Sequence, residues 1–460
     1  MIIERFYTPG LAQVAYGVAD PASGRAAIID PRRDVDDYLA WAASNGYEIV
    51  AILETHVHAD FVSGSRELAE ATGATVYAGR LGGTEFPHVP LDDGDIVRVG
   101  ALRMRAFWTP GHTPEHVSYL LLDPASDTPV VMFSGDILFA GEIGRPDLLG
   151  EEKLGGLVDQ LYQTVTERLA ALPDEAVVYP GHGAGSPCGK RIGDAAQTTI
   201  GQEKRFNYAF QAKSKEAFVR AVMEGMPQPP AYYPTMKRVN KVGPALLRDL
   251  PRGGSLSPDE LAALQAGGGL VIDARDAAEF AAAHVPGSVS VGLGSNFAIW
   301  AGWLAPYERQ VALVLPDDGR YDEALRELRR IGVDAVAGFL GGGIEAWLAS
   351  GRPIGSLGEI SVEELARWIG QNSDGLRVID VRDAAEWAAG HVAGAANVAA
   401  GSIVRGDANL ELNGKTAAVI CGTGYRSAVA ASVLQQRGME RIATVPGGMS
   451  AWVEAGLPTA

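Results

Sequence analysis

The segment VIDARDAAEFAAAHV at 271–285 returns 107 residues later as VIDVRDAAEWAAGHV at 378–392, identical at 12 of 15 positions. A sequence repeated at that spacing must fold the same way twice. The flanks repeat as well: LSPDEL at 256 answers ISVEEL at 360, and GGGIEAW at 341 answers PGGMSAW at 446. The copies run 255–355 and 357–460, a domain each rather than the shorter units of a stacked solenoid. Each opens on a serine followed three residues later by glutamate (Ser257 and Glu260, Ser361 and Glu364), a pattern in which the two side chains satisfy exposed amides at a helix start. A short apolar run ending in Asp then leads to a helix and a second apolar run, VALVL at 311 or AAVIC at 417. Strands alternating with helices predict a small parallel sheet covered on both faces.

With 460 residues the chain has room for two to four domains, so the part before the repeats is a domain of its own. The proline-bearing stretch MPQPPAYYPTMKRVNKVGPALLRDLPRGG at 226–254 predicts an extended arm or linker, with the first domain at 1–245 and a linker at 246–254. Within 1–245, four apolar runs end in a polar cluster: VAILETH at His56, MRAFWTPGH at His112, VVMFSGD at Asp136 and VVYPGH at His182. Helical segments such as RELAEATG and LVDQLYQTVTERLAAL intervene, which predicts a layered α/β arrangement with a site at one edge of its sheets.

Neutral imidazoles with a carboxylate suit a borderline divalent cation such as Zn(II) or Fe(II). Thr55-His56-Val57-His58-Ala59-Asp60, Thr109-Pro110-Gly111-His112-Thr113, Ser134-Gly135-Asp136 and Pro180-Gly181-His182, taken in order, resemble the metallo-β-lactamase superfamily, and the resemblance implies an αββα sandwich. The family's two-metal hydrolases, the glyoxalase II type included, carry His directly after the Asp that is Asp60 here, whereas this chain has Phe61. Losing that nitrogen weakens a second metal and leaves one site built from His56, His112 and Asp136, two imidazoles and a carboxylate with open positions beside them. His58, Asp60 and His182 then orient ligands or waters.

This pattern resembles the persulfide dioxygenase branch, which implies one Fe(II) per chain and oxidation of the terminal sulfur of a low-molecular-weight thiol persulfide by O2 to sulfite. Gly144-Arg145-Pro146-Asp147 resembles a GRxD element of that branch. Arg145 is expected either to hold Asp136 or a substrate carboxylate, or to form a salt bridge that fixes its loop. The run from His182 to Cys188-Gly-Lys resembles a subgroup with a cysteine near the iron; Cys188 is read as an acceptor of sulfane sulfur, its alternative being an inert buried thiol.

In the second repeat a strand delivers Cys421-Gly422-Thr423-Gly424-Tyr425-Arg426-Ser427 to the start of a helix. Backbone N–H groups and the positive helix end stabilise a thiolate or a persulfide there, and Arg426 is expected to add a fixed positive charge. With Asp380, Arg382, Glu386 and His391 before it and Gly447 to Trp452 after it, this segment resembles a single-domain rhodanese. The resemblance assigns catalysis to Cys421 and Arg426 and the cradle to Gly422, Thr423, Gly424, Tyr425 and Ser427. The first repeat has Leu315 or Pro316 where the nucleophile belongs, followed by Asp317 and Asp318, so it is expected to be a silent spacer whose Asp273, Arg275 and His284 stabilise the fold.

The fold class that follows is α/β and α+β multidomain: an αββα sandwich, then two small parallel-sheet rhodanese domains. Acidic residues exceed basic ones throughout, 32 to 23 through residue 250 and 24 to 16 after it, which disfavours nucleic acid and anionic membranes as partners. Only Cys188 and Cys421 are present, no stretch is apolar enough for a membrane span, and MIIERFYTPG lacks the layout of a secretory signal, so a cytoplasmic protein is expected. The resemblance implies glutathione or coenzyme A persulfides, O2, sulfite and thiosulfate as small-molecule partners, with thiosulfate made from sulfite and sulfane sulfur, and a homo-oligomer. The rival expectation is a dinuclear zinc thioester hydrolase of the glyoxalase II kind with a passenger rhodanese.

Overall fold

The strand Gln13–Asp20, QVAYGVAD, is buried at every position, as only a strand covered on both faces allows. In the computed structural model, which describes all residues except 227, 372–374, 409, 411 and 413, this strand is second in a six-stranded sheet ordered Ile2–Thr8, Gln13–Asp20, Arg25–Ile29, Glu48–Leu53, Thr75–Gly79 and Val89–Leu91. A second six-stranded sheet runs Thr198–Thr199, Val177–Pro180, Pro129–Gly135, Val117–Leu122, Leu102–Trp108 and Ile96–Val99. Val14, Tyr16 and Leu53 of the first sheet share one core with Met104, Tyr119 and Phe133 of the second, and the Tyr16 hydroxyl donates across it to the Pro180 carbonyl at 2.7 Å.

Helices close both outer faces. Asp36–Asn45 and Ser65–Thr72 pack Tyr38, Ala42 and Leu68 on the first sheet, while Glu151–Gln163 and the turn after it pack Leu161, Val165 and Leu169 on the second. The N-terminal unit, Met1–Asp249, is thus the αββα sandwich expected. The four motif-bearing runs are the strands Glu48–Leu53, Leu102–Trp108, Pro129–Gly135 and Val177–Pro180, whose following residues gather at one end of the sandwich.

The expectation of an extended arm over 226–254 is corrected. Tyr233–Val242 is a helix with proline in its first turn, where the missing N–H costs nothing, and Gly254–Leu256 is already a strand of the next sheet. Prolines dominate the composition of this stretch, yet tertiary contacts decide it. Asn240 donates to the carbonyls of His58 and Phe61 at 2.9 and 2.7 Å and accepts from the Ser63 amide at 2.8 Å, so the helix is fastened to the loop after Glu48–Leu53.

The C-terminal unit, Leu250–Ala460, contains two five-stranded parallel sheets with the same order, Gly254–Leu256, Val336–Leu340, Val311–Val314, Leu270–Asp273, Val289–Ser290 and Gly358–Glu359, Ile442–Thr444, Thr416–Ile420, Leu376–Asp380, Ala396–Asn397. Ser257 and Glu260 form the full reciprocal cap, while Ser361 accepts from the Glu364 amide alone. Arg275 forks onto Asp273 and Arg382 onto Asp380, both pairs buried, which fixes the turn after each equivalent strand. In the helix Tyr425–Gln436, Ser427 through Leu434 are buried without a break, so the helix is covered all round. Part of that cover is the first repeat: Ser432 accepts from the Ser290 amide at 2.9 Å, and Gln436 donates to the Gly287 carbonyl at 2.8 Å. Among the described residues no helix is long and apolar enough to cross a membrane.

Candidate metal centre and sulfur-transfer loop

His56, His112 and Asp136 are all buried, with one ligand atom from each falling in a single cluster. The two Nε2 atoms stand 3.9 and 3.7 Å from Asp136 Oδ2. Their orientation is set from behind. The Thr55 hydroxyl donates to Asp30 Oδ2 at 2.8 Å and so accepts from His56 Nδ1 at 2.9 Å, and His112 Nδ1 donates to the Arg145 carbonyl at 2.8 Å. Each ring therefore carries its proton on Nδ1 and turns a bare Nε2 lone pair toward Asp136. Burial, reinforced by the neighbouring imidazoles and the Lys237 ammonium, holds both rings well below the ordinary imidazole range, so they are neutral ligands at pH 7. Burial raises the Asp136 carboxyl, and its Oδ2 has no hydrogen-bond partner among the described residues. A buried, partnerless acceptor facing two lone pairs fits a cation.

Close packing tightens this geometry. A Cβ at Gly144 would stand 1.8 Å from the Asp136 carbonyl oxygen and 3.2 Å from His112 Cβ, so only glycine admits the loop here.

Asp60 and His182 lie beside the triad, with His182 Nε2 at 3.3 Å from Asp60 Oδ2 and 3.4 Å from Asp136 Oδ2. Cys188 joins them as a third potential ligand. Phe61, which follows Asp60, packs on His58 with ring centroids 4.4 Å apart. Both Asp60 oxygens and His182 Nδ1 also lack partners among the described residues. The missing histidine is thus answered in space by a thiol from a different loop, which burial and the nearby Asp136 and Asp60 carboxylates hold well above the usual thiol range.

His58 faces a different pair of carboxylates. Its Nε2 faces Asp30 at 3.2 Å and Glu54 at 3.1 Å; against the opposing pull of burial, these carboxylates raise the imidazole well above its usual range. Arg145 forks onto Asp147 at 2.7 Å through two nitrogens and donates to the Pro187 carbonyl at 3.0 Å. The loop-fixing alternative describes it.

Sequence reasoning passed over several participants. His116 stacks on His56, ring centroids 5.2 Å apart, accepts the Asp136 amide at 3.1 Å and is pushed down by burial to about 3; its spacing of four from His112 was the available signal. Asp30, Thr55 and the helix face of Tyr233, Lys237 and Asn240 left no local signature, because their meaning lies in distant partners.

In the second repeat Cys421 is buried and its Sγ accepts the Gly424 amide at 3.1 Å, with the Ser427 hydroxyl 3.6 Å away. Gly447 to Trp452 close over it: the Met449 and Ser450 amides bind the carbonyls of Cys421 and Gly422 at 2.7 and 2.9 Å. A Cβ at Gly448 would stand 2.3 Å from the Cys421 carbonyl oxygen, which explains the glycine. Arg426 is bound at both nitrogens to Glu386, at 2.6 and 2.7 Å. Its charge is therefore shared with a carboxylate, and the direct donor to the sulfur is the Gly424 backbone amide, while the Ser427 hydroxyl donates to the Gly424 carbonyl at 2.8 Å. Tyr425 donates to the Gly292 carbonyl at 3.0 Å and Thr423 stays in the loop between. In the first repeat Asp317 accepts the Gly319 amide at 2.6 Å and Asp318 accepts Gly342, the counterpart of Gly447, at 2.9 Å. Carboxylates of the chain itself take up the amides of that loop.

Known proteins align with this division. The metallo-beta-lactamase superfamily model matches residues 9–182, and the rhodanese-like domain model matches 257–350 and 361–455. A hydroxyacylglutathione hydrolase of Polaromonas sp. is 37% identical over 186 residues, 40% of this chain and 66% of that protein. The chain spans less than two thirds of the first such hydrolases it matches. An uncharacterized protein of Aquifex aeolicus is 33% identical over 227 residues, 45% of this chain and 96% of the relative. A crystal structure of a metallo-beta-lactamase from Staphylococcus aureus superposes with a TM-score of 0.67 at 31% identity, covering 74% of this chain and 98% of that one.

Proposed function

Because the chain belongs to the metallo-β-lactamase superfamily and carries two rhodanese-like domains behind that fold, we propose that it is a non-haem Fe(II) persulfide dioxygenase coupled to a sulfurtransferase. The observation that carries the reading is the pair of bare Nε2 lone pairs, neutral and pre-turned, beside one partnerless carboxylate oxygen. His56, His112 and Asp136 would hold one Fe(II), which when bound supplies O2 activation and a Lewis-acid position for the persulfide sulfur. Overall, a persulfide, O2 and water give the free thiol and sulfite. The chain's part is to orient the imidazoles through Thr55 and the Arg145 carbonyl, to keep them neutral by burial, and to exclude water around them.

Cys421 would accept a sulfane sulfur from a second persulfide, releasing its thiol, and pass that sulfur to sulfite as thiosulfate. The Gly424 amide and the helix start hold the sulfur's negative charge during both transfers. Cys188, buried and protonated beside Asp60, is a candidate relay for sulfane sulfur near the metal. Glutathione and coenzyme A persulfides are the proposed substrates, the setting is proposed as cytoplasmic, and assembly as a homo-oligomer.

A second reading has its own support: Asp60, His182 and Cys188 form a second donor set, and the hydroxyacylglutathione hydrolase relatives align over this unit. It takes the protein as a dinuclear zinc thioester hydrolase with a passenger rhodanese. Metal quantification after anaerobic purification, followed by oxygen-electrode assay on glutathione persulfide, separates the two. One iron per chain with O2 uptake is expected; two zinc ions per chain, no O2 uptake and thioester cleavage would establish the hydrolase. His112→Ala is expected to abolish O2 uptake and leave thiosulfate:cyanide sulfur transfer intact, whereas Cys421→Ser does the reverse.

A further inference from the structure

Lys237 is a half-buried cation whose charge acts on the residues of the candidate metal centre and which has no role in the chemistry so far described. It lies on the helix Tyr233–Val242 four residues after Tyr233 and three before Asn240, so the three share one helix face. At one end of that face the Tyr233 hydroxyl meets Cys188 Sγ at 3.9 Å, and at the other Asn240 holds the carbonyls of His58 and Phe61. Lys237 is carried between them, and its charge is felt by His56, His112 and His116. Asp136, Cys188 and Glu115 are its electrostatic surroundings in turn.

Yet among the described residues Lys237 makes no ion pair and no hydrogen bond. Glu115, the carboxylate whose charge acts most on Lys237, accepts the Val57 amide through Oε1 at 3.1 Å. An ammonium drawn partly out of water without a partner costs folding free energy. Such a cost is most often borne where the partner is a ligand.

We propose that Lys237 binds the anionic head of the substrate at the metal centre, the terminal sulfur of the persulfide before oxidation and an oxygen of sulfite after it. The proposal rests on the dioxygenase reading and adds the residue that recognises charge. A lysine suits this role better than an arginine, because a compact point charge follows a head that changes from one sulfur to three oxygens. A carboxylate of the carrier thiol has the same charge, so the experiment must tell the head from the carrier.

The full chain as purified, kept anaerobic, is titrated calorimetrically with sodium sulfite and, separately, with reduced glutathione, as wild type, Lys237→Met and Lys237→Arg. Loss of one charge-assisted contact predicts sulfite affinity about 10- to 100-fold weaker in Lys237→Met and near wild type in Lys237→Arg, with glutathione affinity unmoved. The KM for glutathione persulfide is expected to rise by a similar factor while kcat changes less. The thermal midpoint of Lys237→Met should equal or exceed wild type, since an unpaired charge has gone; Lys237→Gln gives the same readouts should the methionine variant not fold. Unchanged sulfite affinity overturns the proposal, and weakened glutathione binding with sulfite intact reassigns Lys237 to the carrier and overturns it equally. Failure of the dioxygenase reading shows separately, as wild type that takes up no O2 with glutathione persulfide; weaker sulfite binding in the variants would still support an anion site there.

Discussion

His56, His112 and His116 are folded neutral, because burial puts their proton affinities below the ordinary value of about 6.5. An unfolded chain takes up protons below that pH that these folded rings refuse. Their contribution to stability is therefore complete above about pH 6.5 and is lost progressively as the pH falls below it, for His116 down to about 3. His58, raised by Asp30 and Glu54, works in the opposite sense, its contribution present below about 6.5 and lost as pH rises through its raised value. The Asp136 carboxyl, raised by burial to about 6, also opposes the three neutral rings. His116→Gln is therefore expected to make the urea midpoint of the chelator-treated chain more favourable at pH 5 relative to pH 7 than it is in wild type; the same pH response in both would count against a neutral His116 ring.

At the scale of elements, the helix Tyr233–Val242 acts as a clasp. Asn240 alone satisfies two carbonyls and one amide of the loop that follows Glu48–Leu53, all of them buried. Asn240→Ala leaves those backbone groups without partners, at about 1–3 kcal/mol for a buried polar group, and loosens the loop that carries His58, Asp60 and Phe61. The expected result is a lower thermal midpoint together with faster metal loss to a chelator. A wild-type rate of metal release in a destabilised Asn240→Ala protein would confine the helix to a stabilising role. The helix Tyr425–Gln436 makes a parallel case in the other unit: its amino end presents amides to Cys421, and its body is buried on every side.

For the molecule as a whole, the first repeat is more than spacing. Ser290, Gly287 and Gly292 contact the helix that carries the cysteine loop, and Trp303 fills the space that a Cβ on Gly401 would enter, 2.8 Å away. A fragment of residues 250–460 is accordingly expected to keep thiosulfate:cyanide sulfur transfer. A fragment of 357–460 exposes the apolar flank of Tyr425–Gln436 and is expected to aggregate or lose most of that activity. Equal activity in the two fragments would show that the repeats function independently.

The duplication, the covered parallel sheets and the candidate ligands at strand ends were legible in the sequence because each is local: an apolar run fixes the strand, and the polar residues after it are placed by the strand's end. Glycines at 144 and 448 were equally visible, although the carbonyls that exclude a side chain there were not. What only the tertiary structure decided are pairings across long separations. Asn240 reaches Phe61 across 179 residues, Cys188 comes from a distant loop to join Asp60 and His182, and Arg426 shares its charge with Glu386. A proline-rich stretch became a helix because that helix satisfies buried polar groups elsewhere, and hydrogen-bond satisfaction between distant segments has no signature in the order of residues.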